Sequence, residues 1–381
     1  MFKLFKGFNN LKCLKRVNIN RFSSFKDIHK YSQKINHNIS INNLLSFKNI
    51  SIKNRTQMLN EDLKYRLASK INEIENFPSG ISTMPSIVKV NKWYIQSFNE
   101  LLDVDIYKNN KYNDVLEGIY NRHSATLITV ANGIKEYKEH LYDLHGEKID
   151  LVEYLDYNNR GNIINDYLDN FYTNRISIRL LISHYLELQN KTNLYDETYY
   201  NGIVSIREPI TNVIQEAIDS SQLICDKVYN ECPDVEIEII GGEPIFPFIR
   251  NNMFYIFLEI LKNSLRATME KYNNSEDIPK IKVLIYNYDN DISIKISDSG
   301  VGIYYKNLDN IWSYFYSTAK TKRFDDNIEL SDFDDNSPLA GYGYGLPITN
   351  LMVKYFDDKI FINSIKNMGT DVILHFRKNS F

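Results

Sequence analysis

The stretch FYIFLEILKNSLRATMEKY occupies residues 254–272. Its apolar residues Phe254, Leu258, Leu261, Leu265 and Met269 recur at helical spacing and predict one buried face. Glu259, Asn263, Arg266 and Glu270 fall on a second stripe at i, i+4, i+7 and i+11. At about 100° per residue, Glu259 and Leu261 lie roughly opposite each other. Alone, such a stripe reads as the solvated face of a helix. On the floor of a nucleotide pocket it reads differently. The Asn oxygen can join phosphates and waters around Mg²⁺, an ion that uses few protein ligands. A Glu one turn earlier can polarise a hydroxyl within hydrogen-bond reach.

Two stretches downstream decide between these readings. IKISDSGVGI (294–303) places Asp298 just after an alternating strand, with Gly300 and Gly302 following. A carboxylate there can accept a hydrogen bond from an exocyclic amine such as adenine's, and the glycines let the chain turn beneath a flat base. By itself, Asp-Ser-Gly is an ordinary turn. PLAGYGYGLPITN (338–350) sets Gly341, Gly343 and Gly345 before a helix that begins near Leu346–Pro347. Backbone N–H groups of a glycine loop and a helix N-terminus can hold phosphate oxygens. The spacing G-x-G-x-G is not the G-x-G-x-x-G of a dinucleotide site. A P-loop is excluded because no Gly-Lys-Ser/Thr is present.

Around these motifs the chain divides in two. Residues 61–77, 90–104, 113–141 and 163–190 carry helical periodicity, which predicts a four-helix bundle. A loop at 193–204 and a helix at 211–231 lead into strand-like runs at 234–240, 280–288 and 291–298. Two further runs, DKIFINSI and TDVILHFRK, close the chain as a hairpin. Strands beside helices without βαβ alternation indicate an α+β protein with a mixed, mostly antiparallel sheet in its second half. The expected organisation is a presequence and disordered lead at 1–40, a helical bundle at 60–192 and an ATP-binding domain at 205–381.

The 381 residues are 43% apolar and 24% charged, as in a soluble globular protein. No run of about 18 apolar residues occurs, so no membrane insertion is expected. The net charge of −3 conceals an asymmetry: residues 1–60 hold 12 Lys/Arg and one acid, leaving 33 basic and 47 acidic residues beyond. The basic front, interleaved with Phe and Leu, matches a mitochondrial presequence, with RFSS at 21–24 as a processing point. A basic tail or nucleic-acid arm is the other reading of that front. Cys13, Cys225 and Cys232 form no CxxC pair, so neither a disulfide framework nor a zinc site is indicated.

In order, the chain carries Glu-x-x-x-Asn on a helix, Asp-x-Gly-x-Gly after a strand, a long loop, G-x-G-x-G before a helix, and Gly-Thr in a final hairpin. This combination resembles the GHKL (Bergerat-fold) ATPases. Within them it is most similar to the mitochondrial kinases of 2-oxo acid dehydrogenase complexes. The stretches that carry the likeness are WYIQSFNELL, NRHSA, GIKEYKE, NRISIRLLI, LEILKNSLRATME, SYFYSTA, PLAGYGYGLPI and GTDVI, spread over about 60–378.

The resemblance implies an α+β two-domain kinase: a four-helix bundle followed by an α/β sandwich. It implies ATP and Mg²⁺ as cofactors, with Glu259 the general base toward a serine hydroxyl. Asn263 would bind Mg²⁺, Asp298 the adenine amine, and Gly300, Gly302 and Thr370 would line the base. Ser317, Thr318, Gly341, Gly343 and Gly345 would belong to a phosphate lid, with Tyr342 and Tyr344 serving its packing. Arg122, His123, Arg175 and Arg179 match positions of an allosteric anion pocket; surface ion pairs are the alternative for them.

The implied substrate is the pyruvate dehydrogenase complex, on the alpha subunit of its dehydrogenase component. The lipoyl domain of the acyltransferase core would be the docking site. A homodimer in the mitochondrial matrix, without a nucleic-acid partner, completes the expectation. The branched-chain 2-oxo acid dehydrogenase complex and a histidine kinase with His123 as phosphoacceptor are the alternatives. The chain departs from the family in DSGVG, where Asp-Arg-Gly-Gly-Gly is common, so Ser299 and Val301 alter the surroundings of the lid. It also ends at Phe381 without the Asp-Trp tail of many pyruvate dehydrogenase kinases, which leaves tail exchange and tight lipoyl-domain docking open.

Overall fold

Ile292, Ile294 and Ile296 are fully buried, whereas their neighbours Ser293, Lys295 and Ser297 are only half-buried on the other face. That period of two makes a strand with one wet side. The computed structural model describes residues 25–33, 37–145, 160–189, 198–273, 275, 277–316 and 343–378. Residues 1–24, with the expected processing point, and 317–342 lie outside them.

The first half is helical: α1 Phe25–Ser32, α2 Ile41–Phe47, α3 Ile52–Glu75, α4 Pro85–Asp103, α5 Asn109–Arg122, α6 Thr126–His145 and α7 Arg160–Gln189. The long helices α3, α4, α6 and α7 pack side by side, α3 between α4 and α7, and α4 between α3 and α6. Folded helix begins before residue 60 and inside the span expected as a disordered lead. Both early helices gain their stability by docking. Tyr31 of α1 sets its ring against Tyr65 of α3 and Phe98 of α4, at 5.2 and 5.7 Å. Ser40 caps α2 in a capping box with Asn43.

The expected long helix at 113–141 is two helices, broken after Arg122. Tertiary contacts override the periodicity there. Arg175 Nη2 of α7 donates to the His123 carbonyl at 3.2 Å, and His123 Nε2 hydrogen-bonds Ser97 Oγ of α4 at 2.9 Å.

The second half is built on a five-stranded sheet of order β3-β5-β6-β8-β7. Its strands are β3 Val235–Ile240, β5 Ile281–Asn287, β6 Asp291–Asp298, β7 Lys359–Ile365 and β8 Gly369–Arg377. Among the described residues of this sheet, only the β3–β5 pair is parallel. β1 Tyr200–Asn201, β2 Val204–Ser205 and β4 Phe248–Ile249 form a small second sheet. The inner face of the large sheet, Ile281, Val283, Ile285, Leu374 and Phe376 among others, is buried at 0–1% exposure. Three helices accompany it: α8 Ile210–Tyr229, α9 Arg250–Tyr272 and α10 Gly345–Tyr355. This is the α+β, mostly antiparallel arrangement read from the sequence.

The helix α7 joins the halves. Its Ser177 Oγ meets Tyr355 Oη of α10 at 2.6 Å, and its Asp169 Oδ1 accepts from Tyr314 Oη at 2.7 Å.

Candidate active site

Helix α9 carries the opening stretch. Leu261, Leu265 and Met269 are wholly buried, while Phe254 and Leu258 are half-buried at its edge. Glu259, Asn263 and Arg266 are half-buried and Glu270 is exposed. The polar stripe therefore starts inside the molecule and ends in water.

Glu259 sits where α9 meets the start of α10. Its Oε1 accepts from Lys262 Nζ at 2.6 Å. Its Oε2 lies so near Gly345 that a Cβ built there would stand 2.3 Å away. The residue at 345 must therefore be glycine for the carboxylate to reach this position. Asn263 flanks Glu259 on the next turn. Gly343 takes a left-handed φ of 75°, which glycine adopts without strain.

Asp298 ends β6. Its Oδ1 accepts from the N–H groups of Gly300 at 2.9 Å and Thr370 at 3.2 Å. Burial pushes its carboxyl up to about 6, against lowering contributions from those N–H groups and the Ser264 hydroxyl; Asp371 adds a small upward push. The turn that follows packs on α9: Val301 N–H donates to the Ala267 carbonyl at 3.1 Å. A Cβ at Gly300 would collide with that same carbonyl at 2.6 Å. Thr370 Oγ1 meets Ser364 Oγ at 2.8 Å, and Ser364 Oγ accepts from Ile303 N–H at 2.7 Å, fixing the far wall.

Tyr344 closes the floor. It is 4% exposed and packs edge-on to Tyr314 and Tyr172, with centroids at 5.1 and 6.2 Å. The structure thus gathers Glu259, Asn263, Gly343 and Gly345 where α9 meets α10, and Asp298, Gly300, Gly302 and Thr370 at the β6–β8 edge. Ser317, Thr318 and Gly341 lie outside the described residues.

Two family models match the chain. One, described as mitochondrial branched-chain alpha-ketoacid dehydrogenase kinase, covers residues 38–205. The other, described as histidine kinase-, DNA gyrase B- and HSP90-like ATPase, covers residues 249–380. Among curated proteins, the human mitochondrial [pyruvate dehydrogenase (acetyl-transferring)] kinase isozyme 3 is 32% identical over 370 residues, covering 92% of this chain and 85% of the human one. The Ascaris suum kinase of the same name is 32% identical over 365 residues, covering 92% and 86%. The Arabidopsis thaliana kinase is 29% identical over 371 residues, covering 93% and 94%. The chain belongs to the mitochondrial 2-oxo acid dehydrogenase kinase family, within the GHKL ATPases.

In this kinase the helical half holds a second polar cluster. Arg122 donates to Ser97 Oγ and to Glu100 Oε1, each at 2.7 Å. Arg179 lies over the Tyr120 ring at 4.0 Å and donates to the Tyr120 carbonyl at 3.4 Å. Burial, then the neighbouring Arg179 charge, brings Arg175 down to about 10. His123 is 3% exposed with its ring 4.2 Å from Tyr94. Burial, then the positive charges of Arg175, Arg122 and Arg179, holds it well below the usual histidine range, so it is neutral. All four residues of the expected anion pocket come together.

Three residues of the candidate site were not named from sequence. Lys262 pairs with the carboxylate of Glu259, and its i+3 spacing was the available signal. Ser264 reaches Asp298. Lys271 ties the Ser299 and Asn367 carbonyls together at 2.7 and 2.9 Å, which no local pattern reveals.

Proposed function

We propose that this chain is a protein-serine kinase that uses Mg-ATP to phosphorylate and inactivate the pyruvate dehydrogenase complex, on the alpha subunit of its dehydrogenase component. One observation carries the reading: the Glu259 carboxylate is held between Lys262 and the Gly345 start of α10, beside Asn263. The kinship over nine-tenths of the chain with pyruvate dehydrogenase kinases supports the substrate. The branched-chain name attaches to a family model confined to the helical half.

In this reading Asp298 accepts the adenine amine, and Gly300, Gly302 and Thr370 flank the base. The backbone N–H groups at Gly343 and Gly345 receive phosphate oxygens, in concert with Ser317, Thr318 and Gly341. Among the described residues no three His, Cys, Asp or Glu side chains gather as a metal cage. A single amide oxygen from Asn263 suits a Mg²⁺ that keeps waters and phosphates as its other ligands. When bound, Mg²⁺ supplies charge neutralisation to the phosphates. Glu259 takes the proton from the serine hydroxyl as its oxygen bonds to the γ-phosphorus and the bond to the β-phosphate oxygen breaks. Positioning and electrostatics then suffice for transfer.

Arg122, His123, Arg175 and Arg179 form an effector site for a small carboxylate. The wet face of the sheet, with Phe361 51% exposed, supports assembly as a homodimer. The lipoyl domain of the acyltransferase core is the docking partner, and the location is the mitochondrial matrix. A histidine-kinase reading is disfavoured, since buried His123 offers no accessible ring to a phosphoryl group.

The test incubates the purified chain and Glu259→Gln with Mg-ATP and each purified dehydrogenase complex. Acid-stable phosphate on the pyruvate dehydrogenase alpha subunit, with loss of its activity, is expected. Glu259→Gln should bind ATP and lose most transfer. Inactivation of the branched-chain complex alone, or acid-labile phosphate on His123, defeats the reading.

A further inference from the structure

Lys262 lies between the residues assigned to base and metal, three positions after Glu259 and one before Asn263. An i,i+3 ion pair normally stays in water and contributes little. This pair does not: the Lys262 side chain is 4% exposed and that of Glu259 15%. Removing two charges from water is costly before their attraction is counted. The start of α10 covers the carboxylate end of the pair, where Gly345 crowds the other carboxylate oxygen.

The consequence for Glu259 is chemical. A general base must offer a lone pair to the hydroxyl it deprotonates. Here Oε1 is tied to an ammonium at 2.6 Å and Oε2 faces Gly345. Oε1 is therefore engaged by the protein itself, and Oε2 is crowded by the start of α10. Lys262 has three N–H donors and spends one on Glu259. A lysine ammonium is also a point-charge ligand for phosphate.

We infer that Lys262 is a nucleotide-sensing positioning residue. Without nucleotide it neutralises and holds the Glu259 carboxylate. When a triphosphate enters, the ammonium shifts to the terminal phosphate and leaves Glu259 Oε1 free for the serine hydroxyl. The inference rests on the kinase reading given above, and makes the terminal phosphate release the base that acts on it. In this assignment the terminal phosphate of a triphosphate, and not a diphosphate, opens the Glu259 pair.

The test is calorimetric titration of the full chain with Mg-ADP and with the non-hydrolysable β,γ-imido analogue of ATP. Lys262→Met is compared with Lys262→Arg. A charge-assisted hydrogen bond to phosphate corresponds to about tenfold or more in affinity. Lys262→Met should lose about that for the triphosphate analogue and less than about twofold for ADP, with Lys262→Arg recovering most of the loss. In the phosphorylation assay Lys262→Met should raise KM for ATP, again with rescue by arginine.

Equal loss for both nucleotides, or no loss, at an unchanged melting temperature overturns the assignment while leaving the kinase reading in place. A wild-type chain that binds neither nucleotide overturns both. If Lys262→Met does not fold, Lys262→Gln, which keeps a hydrogen bond to Glu259 without charge, carries the same comparison.

Discussion

Glu259 of α9 and Gly345 of α10 are in contact although 86 positions apart: a Cβ at Gly345 would stand 2.3 Å from Glu259 Oε2. The obstacle is the tip of a flexible side chain, so a methyl group at 345 displaces the carboxylate and not the backbone. Gly345→Ala should therefore fold with a nearly unchanged melting temperature. Its phosphoryl transfer should fall by about 100-fold, since a misplacement near 1 Å is enough for that. Radiolabelled phosphate incorporation beside a thermal melt checks both halves. Full activity in this variant would separate Glu259 from the chemistry.

Asp298 supplies a pH dependence. Burial lifts its carboxyl from 3.8 to about 6, so the folded state holds a proton more tightly than the unfolded one. Between about pH 4 and 6, native protein binds more protons, and stability from this group rises as pH falls through that window. Above pH 6 the buried charge costs on the order of 3 kcal/mol. In the proposed role of Asp298, adenine binding runs the other way, because protonation spoils the acceptor. Nucleotide affinity should fall as pH drops from 7 to 5, with a midpoint near 6, and Asp298→Asn should bind weakly without that dependence. Fluorescent-nucleotide titration across pH measures it; an identical slope in the variant would point to another group.

Much of this was legible from local pattern. The strand ending at Asp298, the helix through Glu259 and Asn263, and the glycines before α10 follow from period and turn chemistry that a few residues carry themselves. What escaped was non-local. The break at His123 comes from Arg175, 52 positions on, bonding its carbonyl. Lys262 reads as a surface lysine, yet its side chain is 4% exposed in the fold. Helices α1 and α2 are too short to persist alone and exist by docking on neighbours. Half-burial of Phe254 and Leu258 reflects their place at the rim, which periodicity does not see.

Lys70 is a buried cation with a stability consequence. It has no exposed surface, pairs with Glu73, and sits 4.4 Å from the Phe171 ring. Burial brings its ammonium down to about 8, opposed by the Glu73 charge and hydrogen bond. A folded value below the unfolded one means the unfolded chain binds more protons between about pH 8 and 10.5. Stability from this group therefore rises with pH across that window, and the full cost, about 3 kcal/mol, is present below it. Lys70→Met should raise the melting temperature at pH 7 and erase the rise, since Glu73 is 26% exposed and can be hydrated alone. Glu73→Gln strands the ammonium and should cost about 3 kcal/mol. Denaturant titrations at pH 7 and 9.5 distinguish these outcomes.

Tyr344 separates packing from hydrogen bonding at the start of α10. Its hydroxyl is buried and has no hydrogen-bond partner among the described residues. Its ring nonetheless packs against Tyr314, which Asp169 of α7 anchors, and against Tyr172 of the same helix. Tyr344→Phe removes an unsatisfied group and keeps the ring, so it should be neutral or stabilising by up to about 1 kcal/mol. Tyr344→Ala empties the space between three elements and should cost about 3–5 kcal/mol. Because Gly345 follows directly, the alanine variant should also loosen the contact with Glu259 and weaken nucleotide binding, whereas the phenylalanine variant should bind as wild type. Paired melts and nucleotide titrations of the two variants test this. Equal nucleotide affinity in both would show that the aromatic floor supports the fold alone and does not set the position of α10.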